Sequence, residues 1–342
     1  MEQVSIIGID LAKRVFQLHA VSKDGETVLR KQLKRDQMLS FFVGFGDKSS
    51  IKVAMESSCG AHYWGRKLSE MGFQVVLLAA KFVKPFAVNQ KNDKNDARAI
   101  AEAASRTKDR SVGIKSIEQL DFQSLIKARA LIIKSRVQIS NHIRGICLEY
   151  GVVISEGVEE FCNDFPLVLE DGSHELSTPT RDLMKSMFNT FLELRARECE
   201  LDEKIKVYSS QSEDCQRLMK VPGVGPMTSL AFCAAVGTED NFKNGRSVAA
   251  NLGLIPRQYS SGGVVKLGRI SKRTNSDLRN YMIQGARAVI SASMQKKHPN
   301  PNQQRIKEKL KTKGWGRLII AEANTMCRVM WHLHKNKEEY AV

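Results

Sequence analysis

The chain has 342 residues, a hydrophobic content of 42% and a formal net charge of +16, which is long enough for more than one core. It contains no apolar run of the ~18 residues that a membrane span needs. Nor do basic, apolar and small-residue segments follow Met1 in the order of a secretory leader, so a cytoplasmic protein without membrane attachment is expected. The seven cysteines include no C-x-x-C pair and the histidines no H-x₃₋₅-H set. Neither a disulfide frame nor a zinc site is supported, and buried free thiols are expected. Residues 1–215 hold 31 Lys and Arg against 30 Asp and Glu, whereas residues 216–342 hold 22 against 7, so +15 of the +16 lies in the last third. A single-sign excess confined to one region points to a polyanion partner, nucleic acid before membrane.

In chain order, Val4 to Asp10 reads as a short apolar strand ending in a carboxylate, followed by strands over Val15 to Val21 and Thr27 to Leu33. A helix near Asp36 to Phe45 leads to a strand from Ile51 to Met55 that ends in Glu56. A helix over Tyr63 to Met71 and a strand from Phe73 to Ala79 follow. The order β-β-β-α-β-α-β describes a mixed sheet with helices on its faces and carboxylates at strand ends. After a basic stretch with Lys81, Lys84 and Lys91, residues 92–101 read as a capped loop entering a helix. One long helix is expected from Ser116 to Tyr150. Residues 145–180 hold eight acids and no Lys or Arg, which predicts a connector that repels nucleic acid. From Thr180 to Tyr208, apolar residues at Met187, Phe191, Leu194, Leu201, Ile205 and Tyr208 alternate in steps of four and three, with Glu198 in the polar gap. This is a short coiled-coil seam, docked within the chain or against a second copy.

Three constellations carry chemistry. Asp10 and Glu56 end strands that can lie side by side, and Asp93 and Asp96 share one face at the start of a helix. Two carboxylates ~4 Å apart repel by about 4 kcal/mol at an effective dielectric of 20, so four together call for cations between them. Hard divalent ions fit, most plainly two Mg²⁺ ions able to assist phosphodiester cleavage. Singly, each acid reads better as a turn residue, a cap or a helix-dipole partner, and it is the set of four with its strand order and spacing that points to a metal site. Second, residues 218–228 contain V-P-G-V-G before an apolar run, resembling a helix-hairpin-helix in which Gly223 and Gly225 let a DNA phosphate approach backbone N–H groups. A plain helix connector is the alternative. Third, residues 253–263 form a Gly-rich loop carrying Ser260 and Ser261, followed by Lys266, Arg269, Lys272, Arg273 and Arg279. With Arg257, these cations could neutralise a phosphate beside a serine hydroxyl. By composition this is an ordinary turn, and the two serines are not distinguished. A further cationic run, Lys296 to Arg317, reads as a solvated face or a phosphate track.

The motifs G-I-D-L-A-K at 8–13, M-E-S-S-C-G at 55–60, N-D-K-N-D-A-R at 92–98, V-P-G-V-G at 221–225 and G-L-I-P-R-Q-Y-S-S-G at 253–262 together resemble those of the IS-one-ten insertion-sequence transposases. These are DEDD recombinases related to the Piv invertase, and the resemblance runs in order along nearly the whole chain. It implies an α/β plus α protein: a RuvC-like, ribonuclease H-fold catalytic domain over 1–152, an acidic connector and coiled-coil helix over 153–215, and a mostly helical, basic transposase domain over 216–342. It implies Asp10, Glu56, Asp93 and Asp96 as the metal-binding tetrad and Ser261 as a nucleophile that links covalently to DNA. It further implies a noncoding bridge RNA pairing with donor and target DNA, dimers assembling into a tetramer, and location with the bacterial nucleoid. Rival readings are a junction-resolving nuclease that uses water and a non-enzymatic DNA-binding regulator. An actin-like ATPase also opens on G-I-D, but this chain offers no second phosphate loop.

Overall fold

The computed structural model describes residues 4–87, 93–106, 111–237, 241–271 and 276–340, without the side chains of residues 93, 94 and 276. The chain divides into two compact units, residues 1–119 with 236–243, and residues 120–235 with 244–342.

The first unit is built on β1 (Ile6–Leu11), β2 (Val15–Val21), β3 (Thr27–Lys34), β4 (Lys52–Glu56), β5 (Gln74–Leu78) and β6 (Ser111–Val112), in the sheet order β3-β2-β1-β4-β5-β6. The three-stranded meander is antiparallel, β1 pairs with β4 and β4 with β5 in parallel, and β6 returns antiparallel. Helices α1 (Met38–Val43) and α2 (Ala61–Glu70) cover one face of the sheet; α3 (Ala80–Val83) and α4 (Asp93–Arg106) belong to the other. Alternation sorts the side chains. Ile7, Ile9, Val53 and Met55 point into a core closed by Phe42, Phe45, Trp64 and Phe73, while Ile6 and Ala54 point to the alanine-rich side of α4. A phenylalanine such as Phe42, with no exposed surface, contributes about 2–3 kcal/mol by leaving water. The edge strand β3 is kept from further pairing by Arg30, Lys31 and Lys34. This mixed α/β layout agrees with the sequence reading and is compatible with the ribonuclease H-type arrangement. The short α3 and the two-residue β6 went unread because neither is long enough to show a period.

The second unit contains α5 (Ile117–Glu149), α6 (Val158–Glu170), α7 (Thr178–Gln211), α8 (Glu213–Met219), α9 (Pro226–Val236), α10 (Gly245–Asn251), α11 (Ser276–Gln295), α12 (Pro301–Lys313) and α13 (Trp315–Asn336). Its hairpin is formed by β7 (Pro256–Gln258) and β8 (Leu267–Ile270). The acidic stretch expected to be a plain connector holds α6, whose Phe161 and Phe165 are fully buried with Val152, Ile154, Leu176 and Phe191. Acids on its solvent side hid a four-residue aromatic repeat. Helix α7 is capped by Ser177, which accepts from the Thr180 N–H at 3.4 Å. Its apolar stripe docks within the chain: Glu198, the polar gap of the seam, accepts from Arg136 Nε at 2.8 Å, and Asp202 accepts from Arg129 Nη2 at 3.0 Å. These ion pairs link α7 to α5. All seven cysteines are free; Cys147, Cys215, Cys233 and Cys327 are buried as expected, whereas Cys59 and Cys199 are exposed. Among the described residues no helix is long and apolar enough to cross a membrane.

Candidate active site

Asp10 and Glu56 come together through strand register. Ile9 of β1 lies opposite Met55 of β4 in a parallel pair, so the next residues, Asp10 and Glu56, are neighbours at the carboxyl ends of two strands ~4.8 Å apart. They share the parity of Gly8 and Ala54 and therefore face α4. A Cβ on Gly8 would stand 2.3 Å from the Ala97 carbonyl oxygen and 2.6 Å from the Ala101 amide nitrogen. Only glycine lets α4 lie this close to β1. Asp96 directly precedes Ala97, and Asp10 is two positions beyond Gly8 on the same face. The parallel register thus brings Asp10 and Glu56 together and the missing side chain at Gly8 lets α4 lie against the same face, while Asp96 does not come near enough to both to complete a three-carboxylate group.

The Asp93 side chain and residues 91 and 92 of the loop expected to cap this helix lie outside the described residues. Among the described residues, no group of three or more His, Cys, Asp or Glu is near enough to hold a metal ion. The donor set still suits a hard cation, because hard divalent ions take carboxylate oxygens and the described pair here is carboxylate only. His19 was missed in the sequence. It pairs with Gly8 in register, is 4% exposed, and has its pKa lowered, first by burial and then by Arg30 and by Arg98 of α4. A lone histidine inside a strand carries no sequence signal of this position.

In the second unit, α8, a turn and α9 follow one another as the V-P-G-V-G motif led us to expect. Gly223 has φ +82°, and a Cβ there would meet the Gly285 carbonyl oxygen of α11 at 2.6 Å. That glycine is therefore required for internal packing. Gly225, by contrast, has open space where a Cβ would stand.

The loop carrying Ser260 and Ser261 is a turn, as its composition predicts, and forms the tip of the β7–β8 hairpin, whose two short strands the sequence reading does not place. Ser261 bridges Val264, whose N–H donates to the Ser261 carbonyl at 3.0 Å. The two residues between them, Gly262 and Gly263, have φ of +56° and +78°, as a type I′ hairpin turn requires. Gly-Gly between two short alternating runs is the signal that could have found it. The hydroxyl of Ser260 is engaged, accepting from Gln258 Nε2 at 2.9 Å and from the Lys266 N–H at 3.4 Å. That of Ser261 has no hydrogen-bond partner among the described residues. Arg257, Lys266 and Arg269 are exposed along the hairpin, although Arg257 also donates to the Ser271 carbonyl at 3.2 Å. Lys272 and Arg273 lie outside the described residues. Arg279, counted above with the surface cations, is 7% exposed and donates to the Leu252 carbonyl at 3.3 Å. In the run from Lys296 to Arg317, Arg305 is held by the buried Glu322 at 3.1 Å, while Lys311, Lys313 and Arg317 are exposed.

A mixed α/β sheet with carboxylates at strand ends, joined in one chain to a basic helical unit, is compatible with an enzyme of DNA strand transfer, a transposase. Comparison with known proteins agrees over most of the chain. A DEDD transposase model of the IS110 type matches residues 7–151, and one described as "Transposase IS116/IS110/IS902 family" matches residues 215–300. A "Probable family 20 transposase" of Pseudomonas aeruginosa is 37% identical over 331 residues, 96% of each chain. The "Transposase for insertion sequence element IS1111A" of Coxiella burnetii is 36% identical across 99% of this chain and 92% of its own. That for element IS1328 of Yersinia enterocolitica is 33% identical across 85% of each. The chain belongs to the IS116/IS110/IS902 family of insertion-sequence transposases.

Proposed function

We propose that this transposase cuts and rejoins DNA through a serine–DNA ester, with Asp10, Glu56, Asp93 and Asp96 forming the acidic site of a RuvC-like domain. The observation that carries the reading is the side-by-side placement of Asp10 and Glu56 beneath the helix that starts with Asp93 and Asp96. Two Mg²⁺ ions held by these carboxylates would supply charge neutralisation at the scissile phosphate. The Ser261 Oγ attacks phosphorus and gives up its proton, and the displaced strand end leaves as a free hydroxyl after taking up a proton. A phosphodiester is exchanged for a phosphoserine ester of similar energy, so rejoining by the reverse attack needs no nucleotide triphosphate. Ser261 is preferred to Ser260 because its hydroxyl is uncommitted at the hairpin tip.

The division of labour follows the three segments named above: the acidic catalytic site in 1–152, spacing and a coiled-coil contact in 153–215, and DNA handling together with the serine nucleophile in 216–342. Gly225 at the start of α9 and the cations Arg257, Lys266, Arg269, Lys272 and Arg273 suit phosphate docking in that last segment, as a helix-hairpin-helix would provide. Guidance by a bridge RNA and assembly of dimers into a tetramer, with the serine of one copy serving the acids of another, are supported by the family resemblance.

The test is a denaturing gel of half-site DNA incubated with the protein and Mg²⁺. Wild type should give a protein–DNA adduct, Ser260→Ala should keep it and Ser261→Ala should lose it. Adduct from Ser261→Ala at the wild-type level would overturn the assignment. Cleavage by wild type without any adduct would favour water as the nucleophile.

A further inference from the structure

The first unit carries a pocket to which no role has been given. It is an open hollow of about 670 Å³, within the size range of small-ligand sites. It lies between the β1–β2 turn, the end of β3 and the first turn of α2. Lys13 and Arg14 come from the turn, Lys34 from the end of β3, Arg35 from the 3-10 turn that follows it, and Tyr63 and Trp64 from α2. Asp36 is the one acid in the lining, so the local balance of these charged side chains is four cations against one anion.

None of the four cations makes an ion pair among the described residues, and all four are exposed. The Arg35 guanidinium lies 5.3 Å from the Trp64 ring centre and 5.9 Å from that of Tyr63. The two rings meet edge to face at 5.1 Å. Trp64 is 3% exposed and fixed in the core, whereas Tyr63 is 41% exposed. The result is a rigid aromatic–guanidinium platform with one ring open to solvent and cations around it. Strand register places it at a defined end of the sheet. Val15 pairs with Lys34, and Lys13 follows Asp10 by three residues, so the pocket opens at the end where β1 and β4 present Asp10 and Glu56.

We infer that this pocket binds an unpaired nucleotide, its base stacked on Tyr63 and Arg35 and its flanking phosphates held by Lys13, Arg14 and Lys34. Aromatic rings and guanidinium planes accept any base face, while clustered cations track the backbone, which is the chemistry of single-strand recognition. A paired base could not present its face to Tyr63, so duplex is excluded by the same geometry. The inference rests on the nucleic-acid reading above, but not on its cleavage chemistry.

The experiment is near-ultraviolet crosslinking of the full chain, in EDTA, to short oligonucleotides with one 5-iodouracil, followed by peptide mapping. Deoxy and ribo probes are run separately, and crosslinking by either upholds the pocket while identifying the strand as DNA or RNA. The expected adduct is on Tyr63, competed by unlabelled single strand and not by duplex. Arg14→Glu with Lys34→Glu should lower its yield at least tenfold, and Tyr63→Ala should weaken single-strand binding about tenfold. Tyr63→Phe, which keeps the ring, should bind as wild type does. Adducts confined to residues 216–342, or equal competition by duplex, would overturn the inference. Because EDTA removes the need for cleavage, a Tyr63 adduct in Ser261→Ala would stand even if the serine mechanism failed.

Discussion

The acids of the first unit and the serine of the second are held in opposite ways. Asp10 and Glu56 lie at the carboxyl ends of neighbouring strands inside a six-stranded sheet, with α4 clamped against Gly8. Ser261 sits on a hairpin whose strands are three and four residues long and whose tip is exposed. A site that must position multivalent charge gains from a stiff frame, because small displacements alter every carboxylate distance at once. A nucleophile that must reach a phosphate and later release it gains from a mount with few packing contacts. On the proposed chemistry, the two halves of the reaction need different local stability.

Breaking the stiff half should have the largest effect. Asp10→Asn or Glu56→Gln should reduce Mg²⁺-dependent cleavage about 10³-fold, roughly 4 kcal/mol of lost charge stabilisation, without changing the melting temperature, as a gel assay and calorimetry can show. Gly8→Ala tests the frame and not the charge. Its Cβ would collide with α4 backbone, so stability should fall by about 1–3 kcal/mol in a denaturant titration, with cleavage impaired alongside.

The hairpin should respond differently. Gly263→Val places a branched residue at φ +78° and strains the turn by about 1–2 kcal/mol. Adduct formation should drop about tenfold while the global melting temperature stays put, because so little of the core depends on these strands. A fall in both would show that the hairpin is structural after all.

The smallest effect concerns acid. Asp214 on α8 has its carboxyl held well below the usual carboxylate range, chiefly by hydrogen bonding from His334 and also by Lys337, with burial opposing them. A depressed folded pKa contributes stability above the unfolded value and loses it as pH falls. The wild-type melting temperature should therefore decline below about pH 4 more steeply than that of Asp214→Asn. Equal slopes would remove this network from the account.

Much of this was legible in the sequence, for identifiable reasons. The positions of Asp10 and Glu56 could be read because β1 and β4 are mostly apolar runs in a buried sheet, with a carboxylate last in β4 and one residue before the end of β1. The helix α7 could be read from its apolar spacing, and Glu198, the polar gap in that spacing, is where Arg136 pairs. The hairpin was taken for a loop because its strands are too short to establish alternation. Helix α6 was hidden by the acids around Phe161 and Phe165. The cation–aromatic pocket left no linear trace, since Arg14, Arg35 and Tyr63 belong to the β1–β2 turn, the 3-10 turn after β3 and helix α2, joined only by sheet register. Gly8 looked like part of a motif; its physical role is the room it leaves for Ala97 and Ala101.

The central claim is that Asp10 and Glu56, adjacent by register, share a divalent cation with the acids of α4. Soaking crystals with Mn²⁺ and measuring its anomalous scattering tests it directly. The account predicts a peak bridged by Asp10 and Glu56 that vanishes in Asp10→Asn. Strong Mn²⁺ peaks elsewhere, with none at these two carboxylates, would contradict it.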